Sequence, residues 1–332
     1  MTTADRTRDA RATASDPPRP GSSGRRRPGA SAVVLAVLLL LFAALAVTTN
    51  RFLSLDNARA ILASAAFVGI TAVGATLVMV SGSAVSLATS QTATVVAMAF
   101  LASSRLGLAA AVLIALACGA ALTAMQGAII GFWGANPIVL TIAAGFATGG
   151  AATWFSGGTP VYPAARAYEA LNATWLGLPV AVYVLLAVTV IAQWTLRRTT
   201  AGRQMYLVGE NRAAARAAGL PVGRVTVLAW AFFGACTALT GVFLASFNTS
   251  ATVTLGGTLT LDAIAAVLVG GTAIAGGHGS ALQTLGGAVL ISVLSDVLLL
   301  RGFATGTQIL VKGVLVLAVV IAVHLRTHRS RR

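Results

Sequence analysis

Long apolar runs alternate with short polar interruptions from residue 31 to residue 324. A run of about 20 apolar residues is long enough to cross a bilayer as a helix. Ten such runs are present, at 31–49, 62–80, 84–103, 107–131, 137–156, 177–195, 225–247, 259–275, 281–300 and 307–324. The pattern predicts an all-α, polytopic integral membrane protein with about ten transmembrane helices.

Several runs are interrupted by breaks rich in glycine and serine, after residue 80, at 134–137, at 155–160 and at 275–280. Irregular backbone at membrane depth must be buried in protein or line a wet cavity, because lipid offers no hydrogen-bond partner. The breaks therefore predict Gly-broken or re-entrant segments of the kind found in transporters. Ala66–Phe100 and Ala263–Leu294 share the order apolar run, break, apolar run, which weakly indicates a repeat whose two copies both begin outside.

Composition agrees with this prediction, since 57% of the 332 residues are hydrophobic and only 9% are charged, far from the balance of a soluble domain. The net charge of +15 comes mainly from arginines at the ends of apolar runs, which indicates membrane topology and not nucleic-acid binding. We expect a disordered cytoplasmic tail at 1–30, a transmembrane domain at 31–325 that includes a cytoplasmic loop at 196–224, and a basic cytoplasmic tail at 326–332.

Few charged residues fall inside the predicted spans. Asp262 opens the eighth span, where we expect it to cap the helix, with a contact to solute or to a docked binding protein as the alternative. Asp296 is expected to pair with Arg301 or Lys312, and Lys312 to snorkel or to pair. The two cysteines lie in apolar runs and predict no disulfide. His278 has no second ligand nearby, so we expect no metal site.

The loop at 196–224 carries six arginines and a predicted short helix. Asn211 is suited to cap its start, Gly219 to take the left-handed position after its end, and Pro221 to block continuation. Arg212 and Arg216, four residues apart, are expected to share one face. A second face is formed by Ala213, Ala214, Ala217 and Ala218, which suits a partner's groove. The alternative is an inert connector whose charge only sets topology.

The loop fits the pattern G-R-x-x-Y-x-x-G-x-N-x-x-A-A-x-x-x-G at Gly202, Arg203, Tyr206, Gly209, Asn211, Ala214, Ala215 and Gly219. In this it resembles the coupling segment of permeases from ribose-type ATP-binding-cassette (ABC) importers, within the superfamily of branched-chain amino acid and ribose permeases. The segment Leu261–Ser280 and the opening from Phe52 resemble the same family, and the resemblance runs to about Val323.

The resemblance implies a homodimeric permease in the bacterial cytoplasmic membrane that moves a monosaccharide or a similar small polar solute. It also implies a cytoplasmic ATPase that binds ATP and Mg, an extracytoplasmic solute-binding protein, and no cofactor in this chain. Coupling to the ATPase would fall to the eight motif residues together with Glu210. Candidates for the translocation pathway are Ser81, Ser83, Ser86, Asn136, Asp262, Gly270 and Gly271.

One segment departs from the resembling family, which usually has an acidic residue in the stretch corresponding to 81–88. This chain has SGSAVSLA there, which argues against the family's standard pathway or usual solute, since an acid at membrane depth is usually functional. A transport-inactive relative is the alternative. Nucleoside-like solutes stay open. The alternatives in other classes are a channel or secondary transporter driven by an ion gradient, and an intramembrane enzyme. The enzyme is disfavoured because the sequence lacks a His/Asp/Glu cluster or a nucleophile–base pair.

Overall fold

The computed structural model describes residue 52 and residues 54–329. The predicted first span at 31–49, the N-terminal tail and residues 330–332 lie outside the described residues. Eleven α-helices occur within them: α1 Leu55–Val80, α2 Thr89–Ala102, α3 Leu108–Phe132, α4 Pro137–Ser156, α5 Val180–Arg198, α6 Thr200–Glu210, α7 Arg212–Ala217, α8 Val222–Asn248, α9 Leu259–Val269, α10 Ala281–Leu300 and α11 Thr305–Arg329. Short 3-10 helices at Ser104–Leu106 and Arg166–Asn172 and a small hairpin, Thr174–Trp175 with Leu178–Pro179, connect them.

Six of these helices, α1, α3, α4, α5, α8 and α10, are long and apolar enough to cross a membrane. Shorter apolar helices are found at Thr89–Ala102, Leu259–Val269 and Thr305–Val319. The prediction of an all-α polytopic membrane protein is therefore confirmed. The predicted spans at 84–103 and 259–275 were wrong in extent. Their helices, α2 and α9, rise only about 21 Å and 16 Å at ~1.5 Å per residue, too short for a bilayer of about 30 Å.

Contacts at the two ends of helix α1 distinguish the two ends of the bundle. The last residue of α1, Val80, accepts a hydrogen bond from the Gly277 N–H at 3.0 Å and lies against Gly209 at the end of α6. In the first turns of α1, Arg59 donates to the Gly177 carbonyl in the hairpin before α5. We call the end that carries α6 and α7 the loop face and the opposite end the far face. Helix α1 therefore runs from the far face to the loop face.

Helices α1 and α8 cross the centre of the bundle in opposite directions. The hydroxyls of Thr71 and Thr240 are 2.8 Å apart, the Phe67 ring lies 6.0 Å from that of Phe247, and Gly74 faces Cys236 so closely that a Cβ would lie 2.7 Å from the Cys236 Cβ. Small residues at such contacts let helix backbones approach without a hydrophobic driving force, which is how membrane bundles gain packing energy.

The chain contains two halves of opposite direction, α1–α4 and α8–α11. Each half has a long helix, a half-length helix, and two further helices. Helices α1, α2, α3 and α4 correspond to α8, α9, α10 and α11, and corresponding helices make corresponding contacts. Helix α3 contacts α8 just as α10 contacts α1, and α2 contacts α8 just as α9 contacts α1. Likewise α2 contacts α4, and α9 contacts α11. This is an inverted repeat. The predicted repeat of Ala66–Phe100 with Ala263–Leu294 was wrong, because the structure matches 55–102 with 222–269.

The two half-length helices begin inside the bundle and meet end to end. Residues 83–88 run back from the loop face without helical structure, and Ala88 lies beside Gly145 near the middle of α4. The N–H of Ser90 donates to the Thr260 hydroxyl at 3.0 Å, and the N–H of Thr260 donates to the Ser90 hydroxyl at 3.1 Å. Each side chain thus satisfies a free N–H in the first turn of the other helix.

Candidate functional site

Helix α7 lies on the loop face, and its ends are built as the sequence predicts. The Asn211 side chain accepts hydrogen bonds from the N–H groups of Ala213 and Ala214, both at 3.0 Å. Gly219 has φ +76°, a left-handed conformation that glycine adopts without steric cost. The Leu220 N–H donates back to the Ala215 carbonyl at 3.0 Å. Both predicted end signals are confirmed, on a helix of six residues.

The outward face of α7 is made of small side chains. Ala213, Ala214, Ala217 and Ala218 are exposed, whereas Ala215 is buried against the bundle. Arg216 is also exposed. A smooth alanine surface on a capped helix allows close contact with a groove, since no long side chain must be ordered or displaced.

Helix α6 anchors this unit through its motif residues. Gly202 packs directly on the backbone of Thr195 and Leu196, and the Tyr206 hydroxyl donates to the Gly279 carbonyl at 2.7 Å. Burial raises the pKa of the Tyr206 phenol, an effect that the nearby Arg197 opposes. The remaining predicted residues of this helix, Arg203 and Glu210, are exposed.

Three backbone segments meet where α6 joins α7, and we call this contact the glycine junction: Gly82, Gly209, Gly276 and Gly277. A Cβ on Gly276 would lie 2.7 Å from the Gly82 Cα, and one on Gly209 would lie 2.6 Å from the Gly277 nitrogen. Gly82, Gly276 and Gly277 also have positive φ angles of +75°, +90° and +73°. Only glycine fits this contact. The junction joins the coupling loop to the break after α1 and to the break between α9 and α10.

Arg212, the first residue of α7, turns into the bundle. Its Nη2 donates to the hydroxyl of Ser83 at 3.0 Å and to that of Thr226 at 3.4 Å. Desolvation by burial lowers the pKa of the Arg212 guanidinium, and the positive charge of Arg216 lowers it further. Arg212 and Arg216 stand four residues apart on α7, but their surroundings differ, because Arg212 finds buried hydroxyl partners while Arg216 stays exposed.

The three serines proposed for the pathway are all buried, but they do not form one cluster. Ser81 donates to the Val78 carbonyl and closes the end of α1. Ser83 accepts from Arg212. Ser86 lies deeper, where its hydroxyl is 3.4 Å from Gln126 Oε1.

The other pathway candidates are spread over the bundle. Asn136 is exposed and caps α4 by accepting from the Ile138 N–H at 2.9 Å. Gly270 is pressed against the backbone of α10 near Thr284, whereas Gly271, with φ +83°, has open space where a Cβ would be. The structure therefore brings together the coupling motif but not the pathway set.

Asp262 forms a buried ion pair with Lys312, with Nζ and Oδ1 2.7 Å apart. The hydroxyl of Thr258 donates to its other carboxylate oxygen at 2.7 Å. The expected capping role was wrong, since no side chain caps the start of α9. The pair borders a cavity of 180 Å³ between α9 and α11. Asp296 accepts from the Asn57 side chain at 2.8 Å.

Sequence reasoning missed several polar residues that join distant helices. Ser90 and Thr260 read as ordinary small polar residues in apolar runs, as did Gln126. The Gln193 side chain accepts from the Ser280 hydroxyl and the Ala281 N–H, both at 3.1 Å, and so secures the start of α10. Among the side chains that the structure describes, no three of His, Cys, Asp or Glu come close enough to hold a metal ion.

These features define a class. An inverted repeat of membrane-crossing helices, with broken helices that meet inside the bundle and a capped helix on one face, is the architecture of a multi-pass membrane transport protein. The chain belongs to the family described as the permease component of branched-chain amino acid transport systems, which it matches over residues 57–330. It is a permease subunit with a transport role and not a catalytic one.

Curated relatives cover most of the chain. A probable ABC transporter permease protein of Escherichia coli K12, YphD, is 32% identical over 301 residues, 90% of this chain and 91% of that protein. The ribose import permease protein RbsC of the same strain is 31% identical over 85% of this chain and 89% of its own length. The autoinducer 2 import system permease protein LsrD of Yersinia enterocolitica is 31% identical over 66% and 68%. No solved structure matches the chain.

Proposed function

We propose that this chain is the membrane-spanning subunit of a binding-protein-dependent ABC importer for a monosaccharide. The observation that carries the proposal is α7, a capped helix whose exposed alanines stand on the loop face, directly after the end of α6 that is held at the glycine junction. Exposed alanines on a capped helix suit docking into the groove of a partner protein. The sugar is proposed because relatives at about 30% identity are named for ribose import.

The partners follow from this proposal. A cytoplasmic ATPase, which binds ATP and Mg, docks on α7, so the loop face, both termini and the exposed arginines of residues 196–224 lie on the cytoplasmic side. A solute-binding protein delivers the sugar at the far face. Two copies of the chain form a homodimer with the pathway between them. The membrane is the bacterial cytoplasmic membrane.

The mechanism is alternating access driven through α7. Closure of the ATPase moves α7 as a rigid body, because Asn211 and Gly219 fix its two ends. Motif residues on α6 transmit this movement, because the hydrogen bond of Tyr206 joins α6 to the break before α10. The glycine junction then transfers the movement to the two broken segments. The binding energy of ATP thus selects between two arrangements of the same helices.

The proposed pathway uses neutral hydroxyls and a balanced ion pair in place of an unpaired acid. Ser81, Ser83 and Ser86 follow one broken segment, Gly270 and Gly271 begin the other, and Asp262 lies on α9 between them. Asn136 would serve at the loop face, where it is exposed. A neutral sugar needs only hydrogen-bond partners along its way, which hydroxyls supply without the cost of desolvating a charge.

The test combines purification with uptake. Ala214→Arg places a long charged side chain on the proposed docking face, and Gly219→Pro forces a residue with φ near −65° into a left-handed position. We expect both variants to insert into the membrane, to lose the co-purifying ATPase and to lose ATP-dependent uptake of labelled D-ribose. Ala164→Arg, at an exposed position near the far face, is the matched control and should keep the ATPase.

Two outcomes would overturn the proposal. Unchanged ATPase binding and uptake in Ala214→Arg would remove the coupling role of α7. Uptake by the unaltered chain that persists without ATP and collapses when a protonophore removes the ion gradient would make it a secondary transporter. Uptake of labelled uridine in preference to D-ribose would keep the importer but change the solute to a nucleoside.

A further inference from the structure

Arg212 differs from the other described arginines of the coupling loop because its guanidinium enters the bundle. Its two hydroxyl partners are buried and lie on different elements, Ser83 in the break after α1 and Thr226 in the first turns of α8. One side chain therefore connects the docking helix with the core. A guanidinium has five donors in a fixed plane, so such a contact specifies both distance and direction.

Ser83, one of the two hydroxyl partners of Arg212, begins a continuous series of contacts that leads to both half-length helices. From Ser83 the non-helical segment 83–88 leads directly into α2, whose first turn is joined to α9 by the reciprocal hydrogen bonds of Ser90 and Thr260. A displacement at Ser83 thus reaches both half-length helices.

The contact is also incomplete. The Nε of Arg212 is buried without a hydrogen-bond partner among the described residues. An unpaired buried donor costs free energy that a second arrangement, with Nε paired, would recover. Transmission between two sites requires a second position of this kind for the guanidinium.

We infer that Arg212 is the positioning residue that transmits movement of α7 to the re-entrant segment 81–88 through its hydrogen bond to Ser83. The inference rests on the proposed function, since it assigns the link between ATPase docking and the pathway. The glycine junction holds α6 against the same segment, but it is a steric contact that resists compression only. Arg212 connects α7 itself to this segment by a hydrogen bond, which transmits movement of α7 both toward the segment and away from it.

The competing explanation is a structural one, in which Arg212 only fastens α7 to the bundle. If this explanation holds, removal of the Arg212 side chain lowers stability and changes nothing else. Loss of a transmitter leaves docking and ATP hydrolysis in place while the re-entrant segment no longer responds to nucleotide. The experiment must therefore measure the response of that segment in a folded, ATPase-bound complex.

A cysteine reporter makes this measurement independent of the solute. In a chain carrying Cys118→Ala and Cys236→Ala, Ser86→Cys places one thiol in the re-entrant segment. The complex with its ATPase is placed in nanodiscs, and the rate of alkylation by N-ethylmaleimide is compared without nucleotide and with ATP and vanadate. With Arg212 present we expect the rate to change by about 5-fold or more, the lower range for coupling between two sites.

Arg212→Ala should reduce this change to less than about 2-fold while ATPase turnover and co-purification persist. Arg212→Lys, which keeps a charged donor without the planar fork, should restore part of the response. Arg224→Ala removes an exposed arginine on the same face and should keep the full response. Should Arg212→Ala fail to fold, Ser83→Ala and Thr226→Val remove the same contacts from the other side and should give the same loss.

A full nucleotide response in folded Arg212→Ala, or in Ser83→Ala together with Thr226→Val, would overturn the inference and leave a fastener. A parent reporter chain that binds no ATPase, or that shows no nucleotide response while Arg212 is intact, would instead count against the proposed function. The two failures are therefore distinguishable.

Discussion

The ion pair between Asp262 and Lys312 gives the sharpest prediction about stability. Its charged atoms are 2.7 Å apart, and the two side chains are only 10% and 11% exposed. At an effective dielectric constant of about 20, two unit charges at this distance attract by about 6 kcal/mol. Removing each charge from water costs several kcal/mol, so the pair as a whole is close to neutral in its net contribution.

The same numbers predict strong asymmetry between single and double variants. Lys312→Met leaves the Asp262 carboxylate buried with one hydroxyl partner, that of Thr258. Asp262→Asn leaves the ammonium of Lys312 without a counter-charge. Each single variant should lower the free energy of unfolding by about 3–5 kcal/mol. The double variant should lie within about 1 kcal/mol of the unaltered chain, because no uncompensated charge remains.

The assay is unfolding of the purified chain in mixed micelles of a mild detergent and increasing SDS, followed by the fluorescence of its five tryptophans. The three variants and the unaltered chain form a double-mutant cycle. Strictly additive losses, with the double variant less stable by the sum of the two singles, would refute the electrostatic reasoning. Full stability together with lost uptake in the double variant would point to a role of the pair in the pathway.

Three further predictions concern the loop face. Gly209→Ala forces a Cβ into the backbone at the end of α1 and should cost about 1–3 kcal/mol in SDS unfolding, whereas Gly150→Ala, within α4 and with open space around it, should stabilise by about 0.5–1 kcal/mol. Asn211→Ala removes the cap of α7 and should cost about 1 kcal/mol of local stability, seen as faster hydrogen exchange in α7 alone. Tyr206→Phe should lose about 1 kcal/mol. Because burial raises the folded-state pKa of Tyr206, stability should fall as pH rises above about 10, where the unfolded chain ionises first, and the Phe variant should lack this contribution.

Local signals in the sequence predicted the local structure well. The spans 137–156 and 281–300 match helices α4 and α10 at both ends, because Asn136–Pro137 and the break at 275–280 mark their starts. The ends of α7 were predicted from Asn211 and Gly219 for the same reason. Capping residues act within a few positions of themselves, so a single sequence contains all the information that they need.

Contacts between distant segments were beyond the sequence. Hydropathy cannot distinguish the non-helical segment 83–88 from a helix, since both bury apolar residues. Asp262 reads as a helix cap until Lys312, 50 residues later, is brought beside it. From the sequence alone Arg212 is expected to share a face with Arg216, and only the structure shows its contact with the buried hydroxyl of Ser83.

The segment α5–α7 has no counterpart in the inverted repeat. Two matching halves of opposite direction make the bundle nearly equivalent when it is turned over, so by themselves they offer the same route in either direction. Residues 180–217 break that equivalence, because α6 and α7 stand on one face and, within residues 54–329, no α-helix of this kind stands opposite them. Under the proposed function, the ATPase acts on the bundle at α7. The direction of transport would then be set by the part of the fold that is not repeated.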